Sequence, residues 1–217
     1  MSVTLYGYWR SLAAYRVRVA LNLKGIDYEE ISINLAAGEQ FGEAYAALNP
    51  QHVLPILNHD GRDITQSMAI LEYIEDTWSM PQLLPVTAYE KAQVRALALV
   101  TIADTHPLIV PRVRNFLHKE WNLDESAQTQ WAQHWFTVGN EAIERILVKA
   151  GRAQTYSFGN EVSLADIALA SHAIGAGLFK VDMNKTPVFA EVFKNCMLLP
   201  AFANAHPLKQ EGAPRNA

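Results

Sequence analysis

Three junctions in the chain carry residue types able to do chemistry. Ser11 stands where a β-rich run, Val3 to Tyr8, gives way to apolar residues at helical spacing through Tyr15, Val19, Leu21 and Leu23. A helix start favours an anion, because its first N–H groups are unpaired and its dipole is positive there. A hydroxyl at that point can donate to a bound sulfur and lower a thiol pKa from its usual value of about 8.5. The same serine also suits a plain N-cap. Val53-Leu54-Pro55 puts a proline at the entry to another apolar run. A cis Leu54–Pro55 bond would present the Leu54 backbone to an extended peptide, whereas a trans bond would simply open an edge strand. Gln66-Ser67 precedes a further helical pattern. Its hydroxyl and the adjacent helix amides can hold a carboxylate, or cap the helix and nothing more.

The elements that must position these junctions are readable from periodicity and turn residues. The first strand and the helix ending at Gly25 are followed by a strand over 28–33, a short helix over 38–48 closed by Asn49-Pro50, and a strand over 54–57. Asp60-Gly61 is a hairpin signal that returns the chain as a strand over 63–65, and a helix runs from Ser67 to about Trp78. This βαβ then ββα order predicts a small α/β domain with a mixed sheet. Pro81 and Pro85 lie in a linker over 79–87. The predicted domains are therefore 1–80 and 87–217, the second a helical bundle with apolar repeats over 94–110, 131–147 and 164–178. Pro107 and Pro111 should interrupt its first helix, and Ser163-Leu164-Ala165-Asp166 reads as an N-cap with an acid at N3.

Composition narrows the function classes. Among 217 residues half are hydrophobic and 18% are charged, which excludes a disordered or low-complexity chain. A net charge of −4 argues against non-specific nucleic-acid binding. The single cysteine, Cys196, excludes an intramolecular disulfide and a CxxC pair, and the seven histidines show no metal-ligand spacing, so no metal is expected. The first residues lack a basic segment followed by an apolar run, and no uninterrupted apolar stretch approaches the roughly 18 residues of a membrane span. A soluble, cytoplasmic protein is the expectation.

Taken together, Tyr8 to Ser11 (YWRS), Arg16 to Glu29 (RVRVALNLKGIDYE), Ala47 to Leu57 (ALNPQHVLPIL) and Gln66 to Glu75 (QSMAILEYIE) resemble the glutathione transferases, and within them the zeta class. Asp104-Thr105-His106-Pro107, the stretch Phe158 to Ala170 and LFKVDM near residue 180 extend the resemblance over nearly the whole chain. It implies a thioredoxin-like N-terminal domain that binds glutathione, an all-α domain for the second substrate, and a homodimer. The implied activity is that of maleylacetoacetate or maleylpyruvate isomerases, in which the glutathione thiolate adds to a cis alkene, rotation follows, and the thiolate leaves. Ser11 would be the catalytic hydroxyl with Tyr8 as a second candidate. Gln51, Leu54, Pro55, Gln66 and Ser67 would join Ser11 in holding glutathione, and Arg10, His106 and Arg112 would bind an acidic substrate. His106 could equally serve at a helix kink, and either arginine could be an ordinary surface residue. The chain departs from the pattern in two places. Ser11-Leu12-Ala13-Ala14 keeps one hydroxyl where the family typically has several, and Gly177-Leu178 stands before Phe179 where the family isomerases commonly carry an arginine. Both weaken isomerisation more than glutathione binding. They leave conjugation or dehalogenation of small electrophilic acids, or glutathione binding with little catalysis, as alternatives.

Overall fold

The computed structural model describes residues 2–214. The described residues form two compact units, one reaching to Gln82 and including the residues from Leu199 on, the other Leu83–Leu198.

The first unit is built on a sheet of β1 (Val3–Gly7), β2 (Glu29–Ser32), β3 (Ile56–His59) and β4 (Arg62–Thr65), in the order β2-β1-β3-β4. The pair β1–β2 is parallel and joined by α1 (Leu12–Lys24), while β3 runs antiparallel to both β1 and β4. Strand β1 alternates buried Val3, Leu5 and Gly7 with half-buried Thr4 and Tyr6, the period of a strand with one covered face. The third strand begins two residues later than the sequence suggests and takes in His59, because the reversal itself occupies only Asp60 and Gly61. Both have positive φ (48° and 81°), as a two-residue primed turn requires. Helices α2 (Glu43–Leu48) and α3 (Ser67–Thr77) complete the predicted ββα order. A late helix, α10 (Pro200–Ala205), returns to pack on α1.

Helix α1 is buried from Leu12 through Leu21, on every face rather than along one stripe. Val17, Val19 and Leu21 are fully enclosed, each contributing about 1.5–3 kcal/mol of burial. Enclosure extends to Arg16 and Arg18, 1% and 0% exposed, which can lie there only because oxygen acceptors meet them. The helix ends at Gly25, whose left-handed φ of 67° lets its N–H close onto Asn22 and Leu21.

The second unit is helical. α4 (Ala88–Leu99) continues through a π turn, Val100–Thr105, into α5 (His106–Ile109) and α6 (Pro111–Trp121). By length and composition the run Ala88–Trp121 could cross a membrane, but Val110 is extended (ψ 153°) and breaks it. Pro107 falls in the first turn of α5 and Pro111 opens α6, positions where a missing N–H costs nothing. The long α7 (Glu125–Ala150) is capped by Asp124, which accepts from the Ala127 N–H at 2.8 Å, and α8 (Leu164–Leu178) is enclosed from Leu164 to Ala176. α9 (Pro187–Met197) starts on the Glu144 carboxylate of α7, which accepts the Val188 and Phe189 N–H groups.

At the start of α8 the predicted cap forms. The Asp166 carboxylate, fully buried, accepts from the Ser157 N–H at 2.8 Å, the Ser163 N–H at 2.8 Å and the Ser163 hydroxyl at 2.7 Å. Its work is structural, since it fastens the 157–163 segment to the helix.

Candidate functional site

Strand register brings the three sequence junctions to one end of the sheet. Tyr6 pairs with Ile56, and Ile56 with Thr65, so the C-terminal end of β1, the N-terminal end of β3 and the C-terminal end of β4 lie side by side. Ser11, Pro55 and Ser67 each sit within a few residues of that edge.

Ser11 is the N-cap of α1. Its Oγ accepts from the Ala14 N–H at 3.1 Å, and its own N–H donates to the Tyr8 carbonyl at 2.9 Å. No described residue receives the Ser11 hydroxyl proton, which leaves it for a ligand. Capping and sulfur binding are thus compatible uses of one hydroxyl. Leu12, Ala13 and Ala14 are buried at 8%, 8% and 0% exposure and add no polar group beside it. Tyr8 is half-buried and its ring packs on Trp9 at 5.8 Å between centroids. Its carbonyl is the better-defined feature, accepting both the Ser11 N–H and an Nη2 hydrogen of Arg18 at 3.0 Å. Arg18 is itself held by Glu30 on β2, with Nε to Oε2 at 2.8 Å and Nη2 to Oε1 at 2.6 Å. A methyl group on Gly7 would collide with that carboxylate, so the glycine lets β1 pass close to the pair.

The Leu54–Pro55 peptide is cis. The N–H and C=O of Leu54 bond to no other described residue, so a donor and an acceptor on one residue stand ready for a peptide. Just before them, Asn49 Nδ2 and the Tyr45 hydroxyl both donate to the Val53 carbonyl, at 2.8 and 2.7 Å, fixing the approach of this segment. Burial pushes the Tyr45 phenol well above its ordinary pKa, keeping it a donor.

Gln66 adopts φ 70°, a left-handed value costly for a residue with a Cβ and often retained where a ligand site needs it. Its Nε2 donates to Gln51 Oε1 at 2.7 Å, so two of the sequence candidates meet directly. Ser67 opens α3 and is buried, and its Oγ accepts from Arg16 Nη1 at 3.1 Å. Of the proposed acid-binding residues, Arg10 is exposed beside Ser11. In the helical unit Arg112 is exposed in the first turn of α6, and His106 is half-buried at the start of α5.

Three arginines were not among the sequence candidates. Arg16 and Arg18 sit inside a helix whose periodicity reads as apolar, and only their being charged in so apolar a run signals a task. Arg114 donates Nε to the Ile109 carbonyl at 3.1 Å and lies 5.3 Å from the Phe179 ring centroid, beside the Leu178 position that lacks a cation. Among the described residues no cluster of histidine, cysteine and carboxylates could hold a metal ion.

Residues 1–76 match the N-terminal domain family of the glutathione S-transferases. Over 212 residues the chain is 41% identical to the maleylacetoacetate isomerase of Rattus norvegicus, a match covering 97% of this chain and 94% of that protein. The holo structure of a maleylpyruvate isomerase, described as a bacterial glutathione S-transferase of the zeta class, is 36% identical with a TM-score of 0.95, covering 97% and 100% of the two chains. A maleylacetoacetate isomerase of Methylobacterium extorquens, solved with bound malonate and glutathione, is 42% identical with a TM-score of 0.94 and coverage of 97% and 99%.

Proposed function

The chain belongs to the zeta-class glutathione transferase family, and on that premise we propose that it is a glutathione-dependent isomerase converting a cis alkene of the maleylacetoacetate or maleylpyruvate type to its trans isomer. The observation that carries the reading is the sheet edge where Ser11, Leu54 and Ser67 converge, each with a hydrogen-bonding group available to one extended peptide. The residues fit glutathione: a peptide backbone can pair with Leu54, and a carboxylate can take the Ser67 hydroxyl and the first N–H groups of α3.

When bound, glutathione supplies a thiolate that adds to the conjugated alkene and is expelled after rotation about the former double bond. Ser11 donates a hydrogen bond from its hydroxyl to the sulfur, the proton staying on oxygen, and so favours the ionised form, helped by the positive end of α1. The turn beneath it is fixed before any ligand arrives, because the Tyr8 carbonyl is held from two sides. Gln51 and Gln66, bonded to each other, keep the α2–β3 connection beside the start of α3. Arg10, His106 and Arg112 are proposed to bind substrate carboxylates, and donors that meet charge as it develops on the substrate would contribute most to rate. Tyr8 is the substitute donor if Ser11 proves dispensable.

A second reading, conjugation or dehalogenation of small electrophilic acids, is favoured by the apolar Leu12-Ala13-Ala14 run beside Ser11. A cytoplasmic homodimer is the proposed form. The deciding experiment measures glutathione binding by calorimetry and its thiol pKa by thiolate absorbance, followed by turnover of maleylacetoacetate, maleylpyruvate and small haloacids. Isomerisation that requires catalytic amounts of glutathione supports the first reading. Stoichiometric consumption of glutathione with haloacids alone supports the second. Folded protein that binds no glutathione overturns both. Sedimentation of the purified protein tests the dimer.

A further inference from the structure

Arg16 of α1 and Ser67 of α3 are 51 residues apart in sequence and meet in the interior of the first unit. The contact fixes more than a distance. A guanidinium has hydrogen-bond donors and no acceptor, so at 3.1 Å the Ser67 oxygen must be the acceptor. The serine has one proton, and no other described residue bonds to its hydroxyl. That proton therefore points away from Arg16, at the N-terminal end of the eleven-residue α3. Without Arg16 the hydroxyl could rotate and present its lone pairs to an incoming anion, which repels it.

The charge matters as well as the direction. Arg16 is 1% exposed, and burial lowers its pKa to about 9, which still leaves it a cation at neutral pH. Its positive field is relayed through Ser67 to the same helix start whose dipole already favours a negative group.

We propose that Arg16 is a positioning residue for ligand binding: by donating to Ser67 Oγ it commits the serine proton to a carboxylate of glutathione. The inference rests on the assignment of Ser67 to glutathione and deepens it. It also accounts for an arginine enclosed in a helix that is buried from Leu12 through Leu21.

The test compares affinities for glutathione and two analogues. One lacks the glutamyl α-carboxylate (4-aminobutanoyl-cysteinyl-glycine) and the other carries its glycyl carboxylate as the amide. Ser67→Ala identifies which carboxylate is held, by weakening every ligand that keeps it and leaving the analogue without it unchanged. Arg16→Met should then weaken glutathione about tenfold, the scale of a charge-assisted hydrogen bond, with the same analogue spared. Arg16→Lys should recover part of the loss. Arg16→Met/Ser67→Ala should bind no more weakly than Ser67→Ala alone, since Arg16 acts through the serine. Thermal unfolding checks that each variant is folded, and if Arg16→Met is not, Arg16→Gln carries the same comparison. Equal weakening of all three ligands, or additive losses in the double variant, overturns the role of Arg16 while leaving the glutathione site standing. Unchanged binding in Ser67→Ala overturns the Ser67 assignment and the inference with it.

Discussion

The Arg18 guanidinium meets the Tyr8 carbonyl oxygen at 3.0 Å inside the turn that carries Ser11. Because the same carbonyl accepts the Ser11 N–H, the serine is held by a relay that begins at Glu30 on β2. Glu30→Gln keeps the shape but weakens the hold on Arg18, so by loosening the turn that aims the Ser11 hydroxyl it should raise the bound thiol pKa and lower kcat/KM several-fold with KM for substrate nearly unchanged. Gly7→Ala should do the same more severely by pushing the carboxylate off Arg18. Arg18→Met should cost roughly 3–5 kcal/mol of stability by stranding a partly buried carboxylate. Chemical denaturation and a thiolate titration read the two effects separately.

Ser11 has two tasks, and two variants separate them. Ser11→Ala removes the cap to Ala14 and the donor to sulfur, costing about 1 kcal/mol of stability and about 10²- to 10³-fold in kcat. Ser11→Thr keeps both groups and should retain the cap and most of the thiol shift. Equal activity of wild type and Ser11→Ala, measured with saturating glutathione, would transfer the role to Tyr8.

Asp166 lies outside the chemistry. Asp166→Ala leaves the Ser157 and Ser163 N–H groups without their acceptor in a buried place and should cost about 3 kcal/mol or more, with little change in kcat for the protein that remains folded. Melting temperature and active-site-normalised kcat are the measurements. A large fall in kcat with the melting temperature unchanged would contradict the structural role.

His206 gives stability a pH dependence of known sign. Its Nδ1 accepts from the Leu208 N–H at 3.3 Å, which needs the unprotonated ring. Burial and then the nearby Lys209 lower its pKa below the ordinary 6.5. A base depressed on folding contributes stability that is complete above its unfolded pKa and is lost as pH falls through the folded value. Unfolding free energy should therefore decline below about pH 6.5, the histidine reference value, and His206→Asn, which can still cap, should flatten that part of the profile.

Much of the first unit was legible because each of its elements ends at a residue with its own mechanism. Gly25 stops α1, Asp60-Gly61 makes the hairpin, and Pro55 and Ser67 mark the edge where ligand groups gather. The α8 cap was equally plain, since Ser163 and Asp166 stand at the spacing their hydrogen bonds require. The buried arginines were harder to read. Periodicity marks α1 as enclosed but does not say that a charge may be enclosed with it, and the acceptors of Arg16 and Arg18 come from distant Ser67, Tyr8 and Glu30. The cis state of Pro55 was an open alternative that residue type alone does not decide. The π turn over 100–105 left no trace, because Val, Thr, Ile and Ala suit an ordinary helix as well.

The packing of α10 on α1 sets an order of events during synthesis. The ribosome delivers the sheet, α1 and α3 first, then the entire second unit, and only then the helix that covers one side of α1. At about 5–20 residues per second the nascent first unit waits on the order of ten seconds with that apolar side uncovered. Chaperone engagement during this interval, and the insolubility of chains stopped before Leu199, are what this arrangement leads one to expect in the cell.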